Sequence, residues 1–156
     1  MKTEIATTKE QSRRLLACGV SADTADMHID DYVELWASPY KDSQRKDEKD
    51  FTPAWSLSAL LDILPKELTG YRMTHRYEPF ADFVMTCCVP YFINGYLQLY
   101  HNGKKYVVDY DWDGFLGQMP CADDPIEACV LAIELLAANG YDFGKNNQEE
   151  ADDGND

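Results

Sequence analysis

The residues best spaced for chemistry are three carboxylates at alternate positions in Asp109-Tyr110-Asp111-Trp112-Asp113-Gly114. This D-x-D-x-D-G pattern is the first half of a calcium loop: alternate carboxylates converge on a hard cation and glycine permits the sharp turn. Leu116 fits the apolar eighth position, but Pro120 stands at the twelfth, where a bidentate carboxylate is needed, and the segment leaves a strand rather than a helix. Asp109, Asp111 and Asp113 are therefore candidate ligands of a weak, non-standard calcium site. As acid/base groups they lack an adjoining apolar run that would raise a carboxyl pKa. His28, His75 and His101 lie far apart with no H-x-x-x-H or C-x-x-C partner, and Cys87 and Cys88, adjacent on a strand, face opposite sides and cannot chelate together. No family signature surrounds a thiol, and there is no G-x-S-x-G, phosphate loop or dinucleotide fingerprint. The expectation is a binding protein with no catalytic residue and no cofactor.

A second pattern, Ala17-Cys18-Gly19-Val20-Ser21-Ala22-Asp23-Thr24, resembles the turn of helix-turn-helix repressors. Charge argues against DNA binding. The would-be recognition helix carries Asp23, Asp26, Asp30 and Asp31 with no Arg, Lys, Asn or Gln, so it repels phosphate and has no donors for guanine. The whole chain of 156 residues, with 28 acidic and 14 basic side chains and a net charge of −14, suits neither direct nucleic-acid binding nor an anionic membrane. No run approaches the ~18 apolar residues of a membrane span, and Met1-Lys2-Thr3-Glu4 opens no signal-like apolar run. Five cysteines, an odd number without framework spacing, read as reduced and mostly core thiols, which points to the cytoplasm.

The elements follow from periodicity and caps. Thr8 or Thr7 caps a helix from about Lys9 to Cys18, stopped by Gly19. Ser21 caps a shorter turn to Met27, completing a helical hairpin, after which Ile29, Tyr32, Val33 and Trp36 fit a helical face or an irregular segment. Lys41 to Asp50 balances its charges without an apolar residue and reads as a surface loop. Ser56 caps a helix with Leu57, Leu60, Leu61 and Leu64 on one face, ended by Pro65. From Tyr71 to Tyr110 the period is two, with Asn102-Gly103, and less firmly Asn94-Gly95, as hairpin turns. Asp124 and Pro125 open a last helix, Glu127 completes a capping-box-like pair, Ile126, Val130, Ile133 and Leu136 or Ala137 form its stripe, and Asn139-Gly140 ends it.

Together these predict one α+β domain over residues 1–143: an antiparallel meander of three or four strands with helices packed on one face, an N-terminal helical hairpin and a C-terminal helix. Residues 144–156, with Lys145 against Glu149, Glu150, Asp152, Asp153 and Asp156, read as a disordered acidic tail. On the strand before Asn102, Tyr96, Gln98 and Tyr100 share one face and Leu97 and Leu99 the other. If the leucines meet the helices, the tyrosines line an open face suited to a protein partner.

Three segments carry a resemblance: Leu15 to Val20 through Thr24-Ala25-Asp26-Met27, then Pro53 to Leu61, then Asp124-Pro125-Ile126-Glu127-Ala128 to Asn139-Gly140-Tyr141. Together they resemble uncharacterised small acidic proteins of phages, prophages and conjugative elements of gut anaerobes. The resemblance covers about half the chain and implies a genomic setting but no mechanism. The leading expectation is an accessory protein of such origin acting by protein contacts, possible as a homo-oligomer. Two alternatives stand beside it: an acidic mimic of DNA that occupies a nucleic-acid-binding protein, and a weak calcium-dependent protein using Asp109 to Gly114.

Overall fold

The computed structural model describes residues 5–30, 34–43, 51–77, 86–110 and 120–144. It is a mixed α+β structure, as the patterning predicts, with helices at both ends of the described chain and small antiparallel sheets. Helix α1 (Lys9–Ala17) starts at Thr8 with a capping box: Thr8 Oγ1 accepts the Gln11 N–H at 3.2 Å, and Gln11 Oε1 accepts the Thr8 N–H at 2.9 Å. Gly19, at φ +87°, takes the left-handed conformation that stops it.

The expected helical hairpin is absent. After a single 3-10 turn (Ala22–Thr24) the chain becomes extended and forms β1 (Met27–Ile29) and β2 (Leu35–Trp36). Tertiary bonds override local propensity here. The Trp55 indole donates to Thr24 Oγ1 at 2.9 Å, and the Asp26 carboxylate accepts from the Ser56 amide at 2.9 Å. Asp26 thus bonds a distant segment, and Thr24 Oγ1 accepts from one while donating to the Ser21 carbonyl at 2.6 Å within its own short turn. The helix-turn-helix resemblance therefore has no recognition helix behind it. A one-turn helix, α2 (Tyr40–Ser43), takes up the start of the charged segment, whose remainder lies outside the described residues. Strand β3 (Thr52–Ala54) completes a sheet of order β2-β1-β3.

Helix α3 (Leu57–Ile63) begins at Ser56, whose hydroxyl accepts the Ala59 N–H at 3.2 Å. Leu64 leaves it with ψ 135°, the conformation a following proline imposes. Its buried face is Ala59, Leu60, Ile63 and Leu64, while Leu57 and Leu61 sit at the margin.

The expected single meander is divided. Strands β4 (Glu67–Tyr77) and β5 (Thr86–Tyr96) pair with each other along their whole length, and β6 (Gln98–His101), β7 (Tyr106–Asp109) and β8 (Cys121–Ala122) form a separate sheet in that order. Asn94-Gly95 is no turn: it continues β5, opposite Thr69 and Leu68. The Asn102-Gly103 hairpin does form, shifted by one residue. Asn102 flanks the bend, its Oδ1 accepting the N–H groups of Lys104 (2.9 Å) and Lys105 (2.8 Å), while Gly103 supplies φ +94°.

Helix α4 (Pro125–Ala138) is the centre of the core, touching α1, α3, β7 and β8. Asp124 Oδ1 caps it, accepting the N–H groups of Ile126 (2.8 Å) and Glu127 (3.2 Å). Glu127 turns away from the cap. Its carboxylate accepts from Gln11 and, at 2.9 Å, from Arg14 of α1, and Arg14 also donates to Glu134 through Nε at 3.0 Å. These bonds, to Glu134 first, raise the guanidinium pKa still further. Trp55, Tyr110 and Phe143 are wholly buried around the helix, so the packed domain reaches the start of the expected tail, where Gly144 lies against the carbonyl of Gly19. No helix among the described residues is long and apolar enough to cross a membrane.

Candidate interaction surface

The row Tyr96, Gln98, Tyr100 is built by an alternation that runs across the junction of β5 and β6. Leu97 and Leu99 are partly buried and packed on the main core, and the residues between them face water. Tyr96 is 63% exposed and Tyr100 39%, with Gln98 exposed between them. The row is thus brought together as its spacing predicts. One detail differs from a bare open face. Val107, opposite Tyr100 in the register, is buried although it lies outside the main core cluster, so the sheet is covered at β7 and open at the β6 edge.

The turn that ends the row is tied by its own side chains. His101 Nδ1 accepts the Gly103 N–H at 3.1 Å, and the imidazole meets Tyr106 edge-on with ring centres 4.8 Å apart. A conjugated ring on each side of the hairpin and an amide-bridged bend hold β6 in one place relative to β7.

The three aspartates fare differently. Asp109 closes β7, half-buried and opposite Gln98, whereas Asp111 and Asp113 lie outside the described residues. Tyr110, the second position of the calcium-like pattern, is a core anchor: its hydroxyl donates to the Pro65 carbonyl at 2.7 Å, and burial raises its pKa. Among the described residues no three His, Cys, Asp or Glu side chains are grouped to hold a metal. Of the thiols, Cys129 is buried and burial pushes its pKa up to about 12, Cys18 is half-buried with a pKa raised for the same reason, and Cys121 is exposed; all three are free.

A second surface escaped the sequence reading, which left Trp36 on a helical face or in an irregular segment. Trp36 is 51% exposed on β2, next to exposed Leu35, yet it is held firmly. Its indole N–H donates to Asp30 Oδ2 at 2.8 Å, and the other oxygen of Asp30 accepts the Glu34 N–H at 2.9 Å. One face of the indole stacks on His28, with ring centres 6.4 Å apart and planes 8° from parallel. His28 is itself buried, its Nδ1 2.9 Å from the Ser38 carbonyl and its ring edge-on to Phe51. The available signal was an acceptor, Asp30, six residues before the indole donor of Trp36. No protein-family profile matches the chain, and no curated protein or solved structure matches it.

Proposed function

We propose that this chain is a non-catalytic accessory protein that acts by binding another protein through Tyr96, Gln98 and Tyr100. The observation that carries the reading is the exposure of two tyrosines on the run from the end of β5 into β6, whose intervening leucines pack against the core. Tyrosine offers a large contact area with few rotatable bonds, and anchoring the backbone beneath it removes much of the ordering cost of association. Trp36, stacked and hydrogen-bonded yet half in water, adds a second anchor of the same kind.

The net charge of −14 favours a cationic partner surface and a salt-dependent on-rate. Free thiols at Cys18, Cys121 and Cys129 support a reducing, cytoplasmic setting. The resemblance to small acidic proteins of phages and conjugative elements is in keeping with an accessory role.

The test places a photo-crosslinking residue at Tyr100 in the native cell and, as a control, at exposed Asn139. One protein is expected to be captured from Tyr100 and not from Asn139. The purified partner should then bind a Tyr96→Ser, Tyr100→Ser double variant at least about tenfold more weakly. Unchanged affinity in that variant would remove the reading.

A further inference from the structure

The dipeptide Asn-Gly occurs three times, at Asn94-Gly95, Asn102-Gly103 and Asn139-Gly140. It has a chemistry of its own. Glycine carries no side chain to shield its amide nitrogen, so that nitrogen can attack the Cγ carbonyl of the preceding asparagine and close a succinimide ring. The reaction needs a base for the amide proton, stabilisation of the negative charge that forms on Oδ1, and departure of ammonia. Sequence treats the three sites alike, and the fold does not.

Gly95 is buried in β5 opposite Leu68. Leu97 donates to the Lys66 carbonyl at 2.9 Å, and because bonded pairs alternate along an antiparallel ladder, Gly95 donates to the Leu68 carbonyl. Gly140 is exposed, but its N–H donates to the Ala137 carbonyl at 3.1 Å, and Asn139 Nδ2 donates to the Leu135 carbonyl at 2.7 Å. A carbonyl oxygen is too weak a base to take an amide proton. At Gly103 the acceptor is an imidazole, His101 Nδ1, at 3.1 Å. Asn102 Oδ1 accepts the N–H groups of Lys104 at 2.9 Å and Lys105 at 2.8 Å, which folds the carboxamide back over the bend that contains the Gly103 nitrogen. His101 to Lys105 are all exposed, so water reaches the site. Gly103 and Gly140 have nearly the same φ, +94° and +93°, and both are open to water. The imidazole and the two amides at Oδ1 are what set Asn102 apart from Asn139.

We propose that Asn102 deamidates through catalysis by its own hairpin, with His101 as general base and the Lys104 and Lys105 amides as an oxyanion hole. His101 Nδ1 takes the proton of the Gly103 nitrogen as that nitrogen bonds to Asn102 Cγ, and the charge forming on Oδ1 is held by the two amides. The imidazolium then gives the proton to Nδ2, the Cγ–Nδ2 bond breaks and ammonia leaves. Water opens the succinimide at either of its carbonyls, giving aspartate or isoaspartate; no oxidant, reductant or cofactor enters. Either product adds a negative charge where Asn102 was neutral. Isoaspartate also adds a methylene to the main chain of the bend that joins β6 to β7. The site adjoins the Tyr96, Gln98, Tyr100 row, but its chemistry does not depend on what that row binds.

The test holds the full chain folded at neutral pH, samples it over weeks, and maps its peptides by mass spectrometry, separating aspartate and isoaspartate products from asparagine at each site. Conversion at Asn102 should outpace that at Asn94 and Asn139 at least about tenfold. In the urea-unfolded chain, where each dipeptide loses its surroundings, the three rates should converge and Asn102 should slow. His101→Gln should lower the folded rate at Asn102 at least about tenfold, the loss of a positioned base, and leave Asn139 unchanged. The sign separates a base from a brace: if His101 only tied the bend down, replacing it would free Asn102 to react faster. The Asn102 N–H, bonded to the Lys105 carbonyl at 3.0 Å, reports by hydrogen exchange whether the variant keeps its hairpin. If it does not, the ratio of Asn102 to Asn139 in the native chain decides alone. Equal rates at those two sites overturn the proposal. So does an Asn102 that converts faster unfolded than folded, or a hairpin-retaining His101→Gln chain that converts as fast as the native one.

Discussion

Two neighbouring stretches of antiparallel strand in this molecule meet opposite fates. The sheet β6-β7-β8 lies against α4, so Val108 and the adjoining Tyr110 lose all exposure to water and Leu99 loses most of it. The ribbon β4–β5 has longer strands and more backbone pairing, and among its described side chains Leu68 packs on the core at its base. Hydrogen-bonded pairing and burial are separate quantities, and net stability follows burial because each backbone bond replaces one made to water.

The strongest way to break this contrast is to remove a backing side chain. Ile133 of α4 is fully buried in the cluster that contains Val108. Ile133→Ala should cost about 2–5 kcal/mol, the lost transfer energy plus the cavity left behind, read from the denaturant midpoint. A loss under about 1 kcal/mol would mean that α4 does not carry the sheet.

A smaller effect is expected where α1 is fastened to α4. Arg14→Met leaves the carboxylates of Glu127 and Glu134 without their shared guanidinium at a half-buried site. The cost should be about 1–2 kcal/mol and should shrink as salt is raised. Insensitivity to salt would make the contact one of packing along the arginine stem. Next comes the cap of α1. Thr8→Ala removes the acceptor of the Gln11 N–H and should cost about 1 kcal/mol, with Thr8→Ser restoring it.

These sites also mark what was legible in the sequence. Caps were, because they are local: Thr8, Ser56 and Asp124 each bond an amide two or three residues on, and Gly19, Gly103 and Gly140 take the positive φ angles that glycine alone adopts cheaply. The alternation of Tyr96, Gln98 and Tyr100 with Leu97 and Leu99 was legible for the same reason. The turn capped by Ser21 forms but stops at Thr24, and the expected helical hairpin fails because the conformation beyond it is set from outside, by Trp55 on Thr24 and Ser56 on Asp26 across about thirty residues of sequence. The split of the meander was hidden too. Period two describes a strand's two faces but carries no record of whether anything packs on either. Asn94-Gly95 shows the same limit: Asn-Gly permits a turn, and β4 alongside makes a straight strand the better choice. The Trp36 platform rests on a stack with His28 across the β1–β2 pairing, a contact that no spacing rule announces.

The finest test of the contrast removes the ribbon itself. Replacing residues 69–94 by a two-residue Asn-Gly turn keeps Leu68 and Gly95, the pair that adjoins the core, and deletes everything beyond it. If burial governs stability here, dilute samples of the shortened chain should unfold within about 0.5 kcal/mol of the native chain, since Leu68, the described core contact of β4, is kept and the closed loop becomes shorter. The near-ultraviolet signature of buried Trp55 should survive. A large loss at every concentration would mean that the ribbon folds back on the core, and the distinction between backed and unbacked strands would not hold.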